Sequence, residues 1–336
     1  MKTIKNIKIL AITFSPLLAG WISLFLGSYE INPLLVLKIL ANETLHIFEI
    51  GDIPEKTIIW EIRLPRVLMA FLVGASLAGA GTTLQAIFRN PLVDPFILGI
   101  SAGAAFGCAI TIGFLETLPV QFTAFFFALS AVLLAYFIAK TQGEISRLPL
   151  VLSGVIVSAF FQALVSIVKF LVDPHKLQSI VFWLMGSFSL ADWQSLKWAS
   201  PGIMIGILPL LLMRWRLNVL SLGEEEAKML GVNVGRERAL FIIFSTLAVA
   251  TATSVCGIIG WVGLMVPHLI RMMIGPDHKV LLPLSLCGGG AFMIAADTLS
   301  RTITNFDIPV GIITALTGAP FFIYLMKKSG KEAWGK

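Results

Sequence analysis

Charge is what this 336-residue sequence has least of: only 13% of its residues are Asp, Glu, Lys or Arg, against roughly 25% in soluble domains. A soluble chain of this length needs charge to cover its surface. The deficit therefore excludes an ordinary water-soluble globule and points to lipid as the solvent. A mean hydropathy of +0.89 and a hydrophobic share of 57% agree. Cysteine is also scarce. Cys108, Cys256 and Cys287 each sit inside an apolar run, with no C-x-x-C and no His at metal spacing, so they read as small packing residues and no metal site is expected. The four histidines, His46, His175, His268 and His278, are scattered. His268 follows Pro267 within an apolar run and reads as a packing or hinge residue.

The charge that remains is basic, with a formal net of +6. The basic residues lie mostly between apolar runs, which makes them determinants of topology rather than a nucleic-acid surface.

Spanning helices need about 20 mainly apolar residues. That test places ten spans at 9–27, 65–87, 95–115, 119–139, 149–171, 197–213, 238–256, 258–274, 280–299 and 309–326. The predicted fold class is an all-α integral membrane protein, one transmembrane domain over 1–336. The first apolar stretch is long and lacks a small-x-small cleavage site, so it reads as a retained helix. With ten spans, 17 of the 25 Lys and Arg fall on the side of the termini, among them Lys2, Lys140, Arg214, Arg238 and Lys327. Loop carboxylates such as Glu43, Asp173 and Asp307 collect on the other side. By the positive-inside rule both termini are cytoplasmic.

Three segments stay outside the spans. An outer loop, 28–64, is helical near Pro33–Leu40. A second, 172–196, holds the apolar piece Ile180–Phe188, too short to span and read as a re-entrant or interfacial helix. The longest cytoplasmic segment is 214–237. No large soluble domain is present, so the chain carries no nucleotide engine of its own.

Gly99, Gly103 and Gly107 recur at i, i+4, i+8, a small-residue stripe that lets helix backbones approach closely in lipid. Gly99-Ile-Ser-Ala-Gly103 also matches the nucleophile elbow of hydrolases. The elbow requires a preceding strand and a later Asp and His, and here it falls inside an apolar run. Gly330 to Lys336 resembles a phosphate loop without its Ser/Thr or following helix. No catalytic residues are expected, and the chain is not read as an enzyme.

Leu222-Gly-Glu-Glu-Glu-Ala-Lys-Met-Leu-Gly231 is polar, short and helix-forming. Three glutamates precede Lys228, where the helix macrodipole favours negative charge, and Gly231 stops the helix. Two short helices separated by glycine make a rigid exposed knob.

At these residues the sequence resembles the permeases of vitamin B12, iron-siderophore and haem ABC importers, the type II importers. Arg63-Leu-Pro-Arg66, Asn90-Pro-Leu-Val-Asp-Pro95, Leu98-Gly-Ile-Ser101, Trp183-Leu-Met-Gly186, Leu222-Gly-Glu224, Leu230-Gly231, Gly263 to Arg271, Asp297 to Arg301, Pro309-Val-Gly311 and Thr317-Gly-Ala-Pro320 carry the resemblance along nearly the whole chain. It implies a ten-helix permease in the cytoplasmic (inner) membrane. Its partners would be a second copy or close paralogue, two ATPase subunits below and an outer-face substrate-binding protein. ATP and Mg would belong to the ATPase, and the chain itself would bind no cofactor.

By the same resemblance, Leu222, Gly223, Glu224, Glu225, Ala227, Leu230 and Gly231 couple to the ATPase. Asn90, Pro91, Leu92 and Ser146 form a cytoplasmic gate. Arg63, Arg66 and Arg301 meet carboxylates of the binding protein, a role that suits the planar guanidinium. Spacing alone adds Asp297, four residues before Arg301 on one helical face, which is expected to orient it. The implied cargo is a metal chelate, ferric siderophore or haem first, with a corrinoid or a molybdate-type oxyanion as the alternative. An ion-coupled secondary transporter is the rival class; it needs intramembrane carboxylates or broken helices at midplane.

Overall fold

The computed structural model describes residues 2–27, 29–46, 51, 53–140, 147–304 and 306–333. Seven helices in this part are long and apolar enough to cross a bilayer, and the shorter apolar helices Ile100–Phe114, Val262–Ile274 and Val310–Leu325 bring the number to the ten expected.

In chain order these are α1 (Lys2–Phe25), α4 (Leu64–Phe88), α5 (Ile100–Phe114), α6 (Val120–Ala139), α7 (Arg147–Leu171), α9 (Trp193–Leu222), α11 (Val234–Cys256), α12 (Val262–Ile274), α13 (His278–Ser300) and α14 (Val310–Ala333). Short helices α2 (Pro33–Leu45), α3 (Pro54–Thr57) and α8 (Pro174–Leu184) sit at one end of the bundle, and α10 (Glu224–Met229) at the other.

Polar caps start many of these helices. Asp173 accepts from the backbone N–H of His175 and Lys176, Asp192 and Ser195 form a reciprocal capping box, and Asn233 accepts from Arg236. Each cap satisfies donors that the first helical turn leaves orphaned.

The centre of the bundle is α4, buried continuously from Val73 to Phe88 and packed against α13, α11, α9 and α12. Small residues make this possible. Gly74 meets the backbone of Gly289 on α13, and Gly81 meets that of Gly263 on α12. A second unit joins α5, α6 and α7 around Phe106, Phe127 and Phe161, with ring centroids 4.8 to 6.4 Å apart.

Several helix ends differ from the hydropathy reading. The second span begins not at 65 but at Pro54, through a π turn at Ile58–Arg63. Glu55, Lys56, Glu61 and Arg63 mask this extension from a hydropathy window. Trp193 on α9 holds it by packing its ring on that of Trp60, tilted at 45° with centroids 5.5 Å apart, and by donating to the Trp60 carbonyl at 2.9 Å. The sixth span runs nine residues beyond 213, to Leu222, because Arg214 and Arg216 lower hydropathy without stopping a helix. The outer apolar piece is corrected too. The helix is Pro174–Leu184, set by the Asp173 cap, and Gly186, in the left-handed region, follows its end. The exposed knob holds one short helix, α10, followed directly by α11.

Residues 257–261 form the non-helical link between α11 and α12. This link packs against the chain after α8 and the start of α14, where Ser187 N–H donates to Cys256 O at 2.8 Å and Gly311 N–H to Gly186 O at 3.3 Å. His268 lies against Phe321 and Phe322 at 6.5 and 6.1 Å.

Candidate functional site

The sequence-predicted residues gather at opposite ends of the bundle. At the end of α2, α3 and α8 lie Arg63, Arg66 and Arg301. All three are buried, and each is bonded within the chain. Arg66, in the first turn of α4, donates from Nε to both oxygens of Asp297 at 2.9 and 3.0 Å, and its Nη1 reaches Asp307 Oδ2 at 2.6 Å. Arg301 donates from Nη1 to Leu26 O at 2.8 Å and from Nη2 to Ser23 O and to Ser23 Oγ. Arg63 reaches Leu24 O at 2.7 Å and Tyr29 O at 2.5 Å.

Two arginines therefore cap the C-terminal end of α1, where a helix presents orphan carbonyls and negative dipole charge. Gly27 leaves the space they pass through: a methyl group there would meet both guanidinium groups. Asp297, the i−4 neighbour of Arg301, lies 3.7 Å from its Nε, but its close partner is Arg66 on another helix. Sequence reasoning missed this pairing, and it missed Asp307 as the second carboxylate on Arg66. Only the register of α4 against α13 could have revealed either.

At the α10 end, Ala227 anchors the short helix while Leu222, Met229 and Leu230 stay exposed. A Schellman cap closes the helix: Val232 N–H donates to Ala227 O at 3.0 Å and Gly231 N–H to Lys228 O at 2.9 Å. Gly231 takes φ +76° to allow it, a conformation in which a side chain is strained. Glu224 accepts from Arg238 of α11 and lies 3.3 Å from Nε of Arg147. Partial burial opposes its ionisation. The Arg238 hydrogen bond and the charges of Arg238, Arg147 and Lys228 outweigh that and hold the carboxyl below its ordinary range. Arg216 pairs with Glu237, a further link that sequence reasoning missed.

Asn90, Pro91 and Leu92 form an exposed loop at this same end. The Asn90 side chain accepts from Leu92 N–H at 2.9 Å, a local turn, and Asp94 accepts from Phe96 N–H at 2.8 Å. Burial pushes the Asp94 carboxyl up to about 6, with the Phe96 hydrogen bond acting the other way. Ser146 lies outside the described residues. Of the glycine stripe, Gly103 and Gly107 pack on the backbone of Phe127 and Thr123 in α6. Gly99 faces Ala131 of α6, as Gly103 does, but from outside α5. It ends the 3-10 turn Pro95–Leu98 with φ +90°, one residue before α5.

The family model of the FecCD transport family matches residues 16–328. A Helicobacter pylori protein named as a probable iron chelatin transport system permease is 47% identical over 85% of this chain and 86% of its own length. The Haemophilus influenzae molybdate import system permease MolB is 41% identical over 92% and 93%. A solved structure of a metal-chelate type ABC transporter in an inward-facing conformation aligns with a TM-score of 0.84 and 38% identity, covering 96% of this chain and 99% of that one. A bundle of ten apolar helices with ion-pair clusters at its two ends agrees with these matches: the chain belongs to the FecCD transport family and is a multi-pass ABC transporter permease, a transport subunit rather than an enzyme.

Proposed function

We propose that the chain imports a metal chelate across the cytoplasmic membrane by alternating access, as a single permease domain driven by a separate ATPase. The observation that carries this reading is α10. Its anchor, Ala227, is 0% exposed, while Met229 is 84% and Leu230 62% exposed beside a collar of glutamates. An apolar tip held out by a capped helix is a docking feature, suited to a cleft in a partner ATPase. The end that carries α10 is then cytoplasmic, with both termini, as the excess of Lys and Arg favours.

The pathway is proposed to run between this chain and a second copy or close paralogue. One face of α7, with Leu148, Leu152, Ile156 and Phe160, is exposed and apolar, which suits passage of a bulky chelate. Asn90, Pro91 and Leu92, with Ser146, are proposed as the cytoplasmic gate. Ferric siderophore or haem is preferred, because a relative at 47% identity is named for an iron chelate. A molybdate-type oxyanion is the second reading, from the relative at 41%, and a corrinoid stands beside it.

The test is uptake in proteoliposomes holding the chain, its ATPase and its binding protein, offered ferric siderophore, haemin, cobalamin and molybdate in turn. Uptake of one of them is expected, lost without ATP and lost when residues 224–231 are scrambled. Uptake driven by an ion gradient with no ATPase present would sink this reading in favour of a secondary transporter.

At the opposite face, Arg63, Arg66 and Arg301 are proposed to meet carboxylates of a binding protein. Asp307, with a side chain 38% exposed, already occupies Arg66, so docking there is an exchange of one carboxylate for another. Asp307→Asn is therefore expected to tighten binding-protein association about fivefold, on the scale of an exposed ion pair. Weaker association in a binding titration would contradict the exchange.

A further inference from the structure

The coupling reading of α10 leaves open how its movement reaches the loop at Asn90–Leu92. Glu224 lies in the first turn of α10 and is shared between two helices. Arg238 holds it from α11 with a side chain only 6% exposed. Arg147, the first residue of α7, approaches the same oxygen at 3.3 Å.

From Arg147 the link continues along α7. Two turns on, Ser153 Oγ donates to Ala135 O of α6 at 2.7 Å. The next residue, Gly154, faces the backbone of Ile97 and Leu98, so closely that a methyl group would stand 3.0 Å from Leu98 Cα. No side chain lies between the two backbones to absorb a displacement. The 3-10 turn they touch, Pro95–Leu98, continues directly from the loop. That connection is stiffened by the Asn90 and Asp94 turns and by Gln85 Nε2 against Val93 O at 3.5 Å.

We propose that Arg147 is the positioning residue through which α10, by way of Glu224, moves α7 and with it the 90–98 segment. The Arg147 and Glu224 side chains are 22% and 42% exposed. A pair that wet adds little static stability, so its value lies in transmission, and it can break and re-form through a transport cycle. Glu224 then works inside this chain rather than as a contact to the ATPase.

The inference rests on the coupling reading, and the experiment separates the two. Arg147→Gln, Glu224→Gln and the double variant are assembled with the ATPase and binding protein in proteoliposomes. Substrate imported per ATP hydrolysed is measured alongside ATPase retention on a tagged permease. Each single variant is expected to lower the import ratio about tenfold with the ATPase still bound, and the double variant to be no worse than either. Arg147→Lys keeps the charge and serves where the glutamine variant fails to assemble; an intermediate ratio is expected. Additive losses, or an unchanged ratio for Arg147→Gln and Arg147→Lys, would overturn the Arg147 link. ATP-driven uptake that survives scrambling of 224–231 would instead remove the coupling reading beneath it.

Discussion

Replacing Asp297 by asparagine is expected to cost the folded chain about 3–5 kcal/mol, the range for breaking a buried ion pair from one side. Asp297 is 1% exposed and takes three close contacts from the Arg66 guanidinium, with Arg301 beside it. Asparagine keeps the shape and one acceptor but removes the charge. Arg66 would then keep its ion pair with Asp307 alone, and the carboxylate charge 3.7 Å from Arg301 would be gone. The loss should appear as a lowered melting temperature of the purified chain in detergent. Asp307→Asn is the control. That carboxylate is part exposed, so its removal should cost about 1 kcal/mol or less. Removing both sides of the buried pair, as Arg66→Met with Asp297→Leu, should be milder than Asp297→Asn alone, because it strands fewer buried charges. Equal damage from the two aspartate variants would contradict the burial described for this cluster.

The bundle was legible because lipid leaves few options. Backbone groups in the hydrocarbon layer must bond within their own helix, so apolar runs located all ten apolar helices, seven of them long enough to cross by length and composition. What hydropathy could not place were the ends. At Pro54–Arg63 and at Arg214–Leu222 the helix continues while charge rises, and a window that averages charge stops too early. Gly99 has a second role that spacing does not show. Its spacing fits the stripe of Gly103 and Gly107 and it faces Ala131 as Gly103 does, but Pro95 begins a separate turn, and glycine at 99 also serves a left-handed φ.

The site residues followed the same division. Local structure such as the glycine stop at 231 was legible, because it is built from neighbours, while 90–95 stood out only through the family resemblance. Pairings across helices were not legible. Arg66 with Asp297, Glu224 with Arg147 and Arg216 with Glu237 depend on how helices register, and a single sequence does not display register. Spacing at i,i+4 points Asp297 toward Arg301, because it is visible in a sequence and an interhelical contact is not.

That register gives the second large effect. Gly74 on α4 and Gly289 on α13 meet backbone to backbone. A methyl group on Gly74 would stand 2.6 Å from Met293 Cβ, and one on Gly289 would stand 2.5 Å from Ala78 Cβ. Arg66 precedes Gly74 by eight residues, and Asp297 follows Gly289 by eight. The ion pair and the glycine crossing therefore lie along one antiparallel seam, about 12 Å apart at 1.5 Å per residue. Lipid supplies no hydrophobic force between the helices, so packing at the crossing sets their separation. Gly289→Leu is expected to force α4 from α13 at a cost of about 3 kcal/mol or more. Gly289→Ala should cost less, since better helix propensity, worth about 1 kcal/mol, offsets part of the overlap. Because separating the helices also loosens Arg66 from Asp297, the Gly289→Leu, Asp297→Asn double variant should lose less stability than the sum of the two singles. Full additivity in detergent melts would mean that crossing and ion pair act independently, and that the seam is not held as one unit.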